Sequence, residues 1–190
     1  MTPFFIGITG GSGSGKTELA NKLSKLLKSE DSVFHIDNYQ KFEGKLPKLY
    51  GMKNWDHPKS IDWGKLIKDL VLLKKGKTIV VKSRDQKNLK KVRKLTFKPS
   101  KIIIIEGYFL LHKPLIRKLL DFSVYLKAGE KTRLKRRTKF KNPNYVQKVL
   151  LPMHQKYIEP TKRFANLILD TEKYSSRECA KKIISKTAFS

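Results

Sequence analysis

The sequence predicts an α/β fold, a three-layer sandwich on a mostly parallel sheet, and three observations indicate it. Apolar, β-branched runs of strand length alternate along the chain with stretches of helical period. The run Ile102–Ile105 has no polar position, as expected of a parallel strand that is covered on both faces. A glycine-rich turn joins the first strand to the first helix, which is the order of a parallel βαβ unit.

The turn after the first strand, Phe4 to Thr9, carries a phosphate-binding pattern. Its letters GGSGSGKT match the Walker A pattern G-x-x-x-x-G-K-[ST] at every fixed position. Glycines let the backbone aim successive N–H groups at phosphate oxygens, and the N-terminus of the following helix favours an anion. We therefore expect donor phosphates on the loop residues Gly10, Gly11, Ser12, Gly13, Ser14, Gly15, Lys16 and Thr17.

Within this pattern, Lys16 reaches the β- and γ-phosphates and the Thr17 hydroxyl takes a place on Mg²⁺, so ATP and Mg²⁺ are the expected cofactors. A dinucleotide fingerprint is the competing interpretation. Gly11-Ser12-Gly13 begins like one, and Asp37 follows at about the 20-residue spacing of a ribose-binding acid. That fingerprint needs a third small residue where Lys16 stands, so the sequence favours a fold of the P-loop nucleoside triphosphate hydrolase type.

The remaining elements are predicted from hydrophobic periodicity and from the glycine and proline residues that mark turns and the ends of elements. In the first helix, Leu19, Leu23, Leu26 and Leu27 form the predicted apolar face. The later elements are expected to be a strand from Ser32 to Ile36, a long loop from Asn38 to Ser60, a helix from Ile61 to Lys74, the short strands KTIVVKS and KLTF around a basic loop, the isoleucine strand, a helix from Leu115 to Leu120, the strand FSVYLKA, a basic helix from Glu130 to Phe140, an interrupted helix from Asn144 to Phe164, the strand NLILD, and a helix from Glu178 to Lys186.

Length and composition favour one domain. The 190 residues are 39% hydrophobic, enough for a single core, and we expect a single domain over residues 1–190 with a lid-like basic helix and loop around 130–145. The single cysteine, Cys179, excludes an internal disulfide. No apolar run approaches membrane-spanning length and no secretory signal pattern is present, so a cytoplasmic location is expected.

The charge is strongly basic, with 43 Lys+Arg against 16 Asp+Glu and a formal net charge of +27. A nucleic-acid partner is one interpretation, since basic surfaces bind phosphate backbones regardless of sequence. The other is a solvated lysine-rich surface, which is favoured because only eight of the 43 are arginines and the lysines are spread along the chain. This field would in either case attract small anionic substrates. The sequence leaves the oligomeric state open.

Two acids follow strands that are expected to be central, Asp37 after the second strand and Glu106 after the isoleucine strand. Carboxyl ends of parallel strands meet at one edge of the sheet, so both acids should lie near the P-loop. Glu106 there could hold Mg²⁺ directly or through water, and Asp37 could accept the proton of an attacking hydroxyl. Arg133, Arg136 and Arg137 are predicted to share one helix flank and to supply positive charge over the transferring group.

Several segments together resemble uridine kinases. GGSGSGKT, NWDHPKSID, IIIIEGYFLL, RLKRR and LPMHQKYIEPTKRFANLIL occur in the order found in that family, between Phe4 and Asp170. The chain is also similar to nicotinamide riboside kinases in VVKSRDQKN, EGYFLLHKPL and the triplet Asn54-Trp55-Asp56. The resemblance implies transfer of phosphate from ATP to the 5′-hydroxyl of a nucleoside.

The resemblance also implies roles for particular positions. Asp37 matches the general base, Glu106 the Mg²⁺-associated carboxylate, Asp56 the acid that binds the ribose diol, and Trp55 the aromatic residue that packs on the base. Arg137 matches a lid-side arginine near the ribose and phosphates. Further candidates are Arg133 for the donor phosphates and Tyr39, Phe140 and Asn144 for the acceptor.

The chain departs from uridine kinases in two places. The Tyr and His of the pyrimidine-reading element are replaced by Arg84 and Leu89, and the lid is shortened to TKFKNPN. The family resemblance still gives uridine or cytidine as the expected acceptor, and these departures keep nicotinamide riboside as the alternative, in which case Phe140 would sandwich the base against Trp55. An RNA-associated P-loop ATPase and a kinase for another small hydroxyl compound also remain open, whereas a GTPase is disfavoured because an Asn-Lys-x-Asp motif is absent.

Overall fold

The computed structural model describes residues 2–29, 32–41, 43–84, 92–137 and 142–187, and its centre is a five-stranded parallel sheet. The strands lie in the order β2-β7-β1-β8-β9. Their bounds are Phe4–Gly10 for β1, Val33–His35 for β2, Ile102–Glu106 for β7, Phe122–Lys127 for β8 and Leu167–Asp170 for β9. The predicted three-layer α/β sandwich on a mostly parallel sheet is confirmed.

Strand β7 is buried at all five positions, as its unbroken apolar sequence predicts. It pairs with β1 in a register that sets Ile8 beside Glu106, and with β2 in one that sets His35 beside the same residue. Because the strands are parallel, the P-loop after β1, the turn after β2 and the end of β7 all emerge at one edge of the sheet. This edge carries the candidate site.

Helices cover both faces of the sheet. Helix α1 (Lys16–Leu26) and helix α7 (Ser176–Ile184) pack on one face, and helices α2 (Trp63–Lys74) and α3 (Pro114–Leu119) belong to the other layer. The predicted apolar stripe of α1 is wrong at Leu26, which is 39% exposed. Ala20 and Ser24 are buried beside Leu19 and Leu23, so the packed face is rotated and Leu26 lies at its margin.

The segment predicted as an interrupted helix from Asn144 to Phe164 is helical without a break. It consists of α5 (Pro143–Tyr145), a π-helical stretch Val146–Leu150, α6 (Leu151–Met153), a second π-helical stretch His154–Ile158 and a 3₁₀ stretch Glu159–Phe164. Proline lacks an N–H donor and its ring clashes with the preceding turn, so Pro152 and Pro160 change the winding of the helix. The chain accommodates both prolines by widening and narrowing its turns.

Two hairpins and a short helix complete the described chain. Strands β3 (Lys48–Leu49) and β4 (Met52–Lys53) interrupt the predicted long loop. The two short strands predicted around a basic loop are present as β5 (Ile79–Arg84) and β6 (Val92–Phe97), and they pair antiparallel. Helix α4 spans Glu130–Arg136. The predicted continuation to Phe140 is wrong at Arg137, whose backbone is extended, and the rest of it lies outside the described residues, as does Leu89. In the part of the chain that the structure describes, no helix combines the length and the apolar character needed to cross a membrane.

Candidate active site

The loop between β1 and α1 has the backbone of an anion cradle. Gly10, Gly13 and Gly15 have φ values of 144°, 82° and 90°, a region that residues with a side chain rarely adopt. The loop is also closely covered: a Cβ atom on Gly13 would lie 2.1 Å from the carbonyl oxygen of Arg133, and one on Gly11 would lie 2.7 Å from the Arg133 Nη1. The local geometry therefore requires glycine both for conformation and for the approach of α4.

Lys16 folds back over this loop. Its Nζ donates a hydrogen bond of 3.0 Å to the carbonyl oxygen of Gly11. Burial lowers the pKa of Lys16, and the neighbouring carboxylates Glu106 and Asp37 act in the opposite direction. The ammonium group is thus held between the phosphate loop and two acids, where it can meet phosphate oxygens.

Glu106 is a buried carboxylate with two side-chain partners. Its Oε1 accepts from Thr17 Oγ1 at 3.3 Å and lies 2.7 Å from His35 Nδ1. Burial opposes ionisation, but the hydrogen bond from His35 and the charge of Lys16 outweigh it and lower the pKa of Glu106. The same contact raises the pKa of His35. Sequence reasoning missed His35, although it is the register partner of Glu106 once β2 and β7 are known to be neighbours.

Asp37 lies in the 3₁₀ turn Ile36–Tyr39 that follows β2. The turn is pressed onto the end of β7, since a Cβ atom on Gly107 would lie 1.9 Å from Ile36 Cγ1. Crowding by protein atoms and the negative charge of Glu106 raise the pKa of Asp37 to about 6, although the residue remains exposed. Asp37 is therefore a weakly acidic, accessible carboxyl group next to Lys16 and Glu106.

Asp56 and Trp55 form a second wall of the site. Asp56 is 9% exposed, and its Oδ2 accepts a 2.7 Å hydrogen bond from the Tyr145 hydroxyl. The same hydroxyl accepts from the backbone N–H of Trp55 at 3.2 Å. Burial raises the pKa of Asp56, while the bond from Tyr145 and the charge of Arg137 act against it. By resemblance, Asn144-Tyr145 is the expected place of a polar ribose contact, and Tyr145 links the acceptor wall to helix α5.

The three arginines do not act as one flank. Arg133 is 5% exposed and packs against the P-loop, whereas Arg136 donates to the Oγ1 and carbonyl oxygen of Thr171 at 3.0 and 2.9 Å. Arg137 follows α4 and influences Asp56 electrostatically. Positions 133 and 137 are about 40° apart around a helix, but position 136 is about 60° to the other side of 133, which explains the split.

Three further candidates remain: one lies in the core, one is exposed, and one lies outside the described residues. The predicted acceptor contact of Tyr39 is wrong. Tyr39 lies in the core, where it is 4% exposed, and its hydroxyl donates to Asp69 at 2.7 Å instead of facing the acceptor wall. Asn144 is exposed, and the hydrogen bond to Asp56 comes from the next residue, Tyr145. Phe140 lies outside the described residues.

The residues present fit a triphosphate with Mg²⁺. In the described part of the chain, the buried Ser14 Oγ and the Nε and Nη1 of Arg133 have no hydrogen-bond partner. Such buried donors are costly unless a ligand satisfies them, and phosphate oxygens would do so. Thr17 and Glu106 present oxygens of the kind that Mg²⁺ prefers. No group of three potential His, Cys, Asp or Glu ligands occurs among the described residues.

A parallel sheet with a glycine-rich loop at its carboxyl edge, followed by a lysine and a threonine, defines a P-loop nucleoside-triphosphate-binding protein. A model of the phosphoribulokinase / uridine kinase family matches residues 5–141. The chain therefore belongs to the phosphoribulokinase / uridine kinase family, as its motifs predict.

Individual relatives agree with this membership. The chain is 36% identical over 177 residues to a uridine kinase of Macrococcus caseolyticus, with 86% of each sequence covered. It is 35% identical over 181 residues to a uridine kinase of Clostridium perfringens, covering 88% of this chain and 86% of that protein. The solved structure of a possible uridine kinase from Bacillus stearothermophilus is 25% identical with a TM-score of 0.68 over 90% of each chain. A shikimate kinase from Acinetobacter baumannii, 20% identical with a TM-score of 0.55 over 97% of this chain and 93% of that one, shares the fold alone.

Proposed function

We propose that this protein transfers the γ-phosphate of ATP to the 5′-hydroxyl of a ribonucleoside, with uridine or cytidine as the acceptor. The observation that carries the proposal is the buried carboxylate of Asp56, which is held by Tyr145 beside Trp55 and lies close enough to the P-loop lysine, Lys16, for the two charges to interact. A buried carboxylate can accept hydrogen bonds from two neighbouring hydroxyls, and an indole ring can stack on a flat base. We place the reaction in the cytoplasm, which suits a chain whose one cysteine, Cys179, is free.

The donor side of the proposed site consists of the P-loop, Lys16 and Arg133. The loop N–H groups and the N-terminus of α1 bind phosphate oxygens, and Lys16 exchanges its bond to Gly11 for the phosphates. Thr17 and Glu106 would hold Mg²⁺, with His35 fixing the orientation of the carboxylate. Mg²⁺ held by these two residues would supply positive charge to offset the negative charge that develops on the phosphate oxygens.

Asp37 is the proposed base on the acceptor side. Its carboxylate takes the proton of the 5′-hydroxyl while that oxygen forms a bond to the γ-phosphorus and the bond from phosphorus to the β-bridging oxygen breaks. A pKa of about 6 suits this role because the group is ionised near neutral pH and still has affinity for a proton. Arg137, next to Asp56, supplies positive charge at the junction of acceptor and phosphates.

Replacement of Asp56 tests this function. The wild-type protein should prefer uridine over 2′-deoxyuridine in kcat/KM by roughly 10- to 100-fold, since a missing hydroxyl leaves a buried carboxylate partly unpaired. Asp56→Ala should raise the uridine KM and narrow this preference to within about threefold, with the ATP KM little changed.

Two further variants make the comparison specific. Asp56→Asn keeps an oxygen for the Tyr145 hydroxyl and so separates loss of charge from loss of structure. Asp62→Asn is the control, because Asp62 is an exposed cap of α2 and asparagine caps helices equally well. An Asp56→Ala enzyme that still prefers the riboside as strongly as wild type would show that the diol is bound elsewhere.

A further inference from the structure

Three polar side chains around the P-loop have buried atoms that the proposed roles do not fully use. They are the Tyr108 hydroxyl, the Nε and Nη1 of Arg133, and the Nδ1 of His154. None of these atoms has a hydrogen-bond partner among the residues that the structure describes. Buried polar atoms without partners are rare and costly, and several at one place indicate a site that a ligand completes.

The three side chains share one side of the loop. A Cβ atom on Gly11 would lie 2.7 Å from Arg133 Nη1 and 2.9 Å from His154 Cε1, so both side chains contact the loop there. The Tyr108 ring centroid is 5.8 Å from Lys16 Nζ and 6.4 Å from the His154 ring centroid. The tyrosine therefore faces the region where Lys16 is expected to meet the phosphates.

Tyr108 is held rigidly. It follows Glu106 and Gly107 at the end of β7, and Thr9 Oγ1 donates to the carbonyl oxygens of Gly107 at 2.9 Å and Tyr108 at 3.2 Å. Its ring packs edge-to-face on Phe109 with centroids 4.8 Å apart. A tyrosine hydroxyl carries its proton at neutral pH and can therefore donate it. A fixed hydroxyl of this kind is a preorganised hydrogen-bond donor.

The charged groups around Tyr108 indicate which ligand fits. The positive charges of Arg133 and Arg137 act on the Tyr108 hydroxyl, and the ammonium group of Lys16 lies near its ring. All three of these cationic side chains can only donate hydrogen bonds. Asp56 is the acidic neighbour, and its Oδ2 already accepts from Tyr145. His154 stays neutral, because burial and the charge of Arg133 lower its pKa to about 4. Donors that converge with few acceptors among them match an oxyanion.

We propose that the Tyr108 hydroxyl donates a hydrogen bond to an oxygen of the γ-phosphoryl group during its transfer. The inference rests on the proposed function, in which the donor phosphates are the oxyanions that enter this site. Tyr108 would complement Lys16 and Arg133 from the β7 side of the loop and would act on the reacting group itself.

Removal of the Tyr108 hydroxyl group tests the proposal. Tyr108→Phe should lower kcat/KM for uridine phosphorylation by roughly 10- to 100-fold, the range for a lost hydrogen bond to a charged group. In calorimetric titrations without acceptor, affinity for the β,γ-imido analogue of ATP with Mg²⁺ should fall by about fivefold or more, whereas affinity for ADP should change less than twofold. The midpoint of thermal unfolding should stay the same or rise, because the variant removes a buried hydroxyl that has no partner in the ligand-free protein.

The control is Tyr50→Phe, which removes a hydroxyl from a side chain that is 71% exposed. Equal loss of affinity for ADP and for the ATP analogue, no loss for either, or a lowered unfolding midpoint in Tyr108→Phe would overturn the proposal. The titrations need no acceptor, so they decide the role of Tyr108 even if the wild-type protein phosphorylates no nucleoside. Failure of the proposed function would instead appear as an inactive wild type that binds ATP normally.

Discussion

Lys16→Ala should abolish phosphoryl transfer, lowering kcat/KM by about 10³-fold or more. The physical reason is that charge on the γ-phosphate oxygens is greatest in the transition state, and removing one preorganised donor from such a site typically costs 10²- to 10³-fold even without its charge. Lys16 also holds its ammonium group between the loop and two acids, a position that no other described lysine shares. Steady-state kinetics with ATP and uridine measure the effect.

The fold should survive this change. Burial already disfavours the charged form of Lys16, so its replacement is expected to leave the unfolding midpoint within a few degrees of wild type. Lys25→Ala on the same helix is the matched control, since Lys25 is exposed and far from the loop in sequence. Near-wild-type turnover by the Lys16 variant would remove the P-loop from the mechanism.

Asp37→Asn should lower kcat by about 10²- to 10⁴-fold, the range for a lost acid–base group, with ATP affinity nearly intact. Asparagine keeps the size of the side chain and cannot take the proton of the 5′-hydroxyl. Single-turnover kinetics and ATP titration separate the two quantities, and Asp62→Asn again serves as the control. A collapse of ATP affinity with unchanged kcat would make Asp37 a metal-associated or structural residue.

The same residue sets an expected pH dependence. Because the pKa of Asp37 is raised to about 6 and the ionised form is the active one, kcat/KM should be full above pH 7 and fall about tenfold per pH unit well below pH 6. The residual activity of Asp37→Asn should lack this acidic limb. If kcat/KM of the variant still falls below pH 6, that fall would come from the titration of another group, such as ATP itself.

The sequence predicts the phosphate side of the site well because that side depends on local order. A Walker A loop between a strand and a helix determines its own backbone, and the apolar run before Glu106 indicates a parallel strand whose end must lie at the same edge. Asp37 follows from the same rule. These three positions need only the parallel direction of the strands, which the alternation of strands and helices makes predictable.

The acceptor side depends on contacts between distant parts of the chain. Tyr145 meets Asp56 across 89 residues, and His35 meets Glu106 across 71, so no local pattern reports either pair. Tyr39 was misplaced for a different reason. In extended chain, the side chains of Asp37 and Tyr39 would lie on the same side. The 3₁₀ turn has about three residues per turn, so it directs side chains two positions apart to different sides.

The proposed reaction is tested most directly by identifying the product. The wild-type protein should be incubated with Mg²⁺ and ATP and, in separate reactions, with uridine, cytidine, nicotinamide riboside or pantothenate, and the phosphorylated compound identified by mass spectrometry and ³¹P NMR. We predict formation of a nucleoside 5′-monophosphate from uridine or cytidine, in a one-to-one ratio with ADP, and loss of both products in Lys16→Ala. Release of inorganic phosphate with no phosphorylated acceptor, stimulated by added RNA, would contradict the nucleoside kinase proposal and indicate an RNA-associated ATPase.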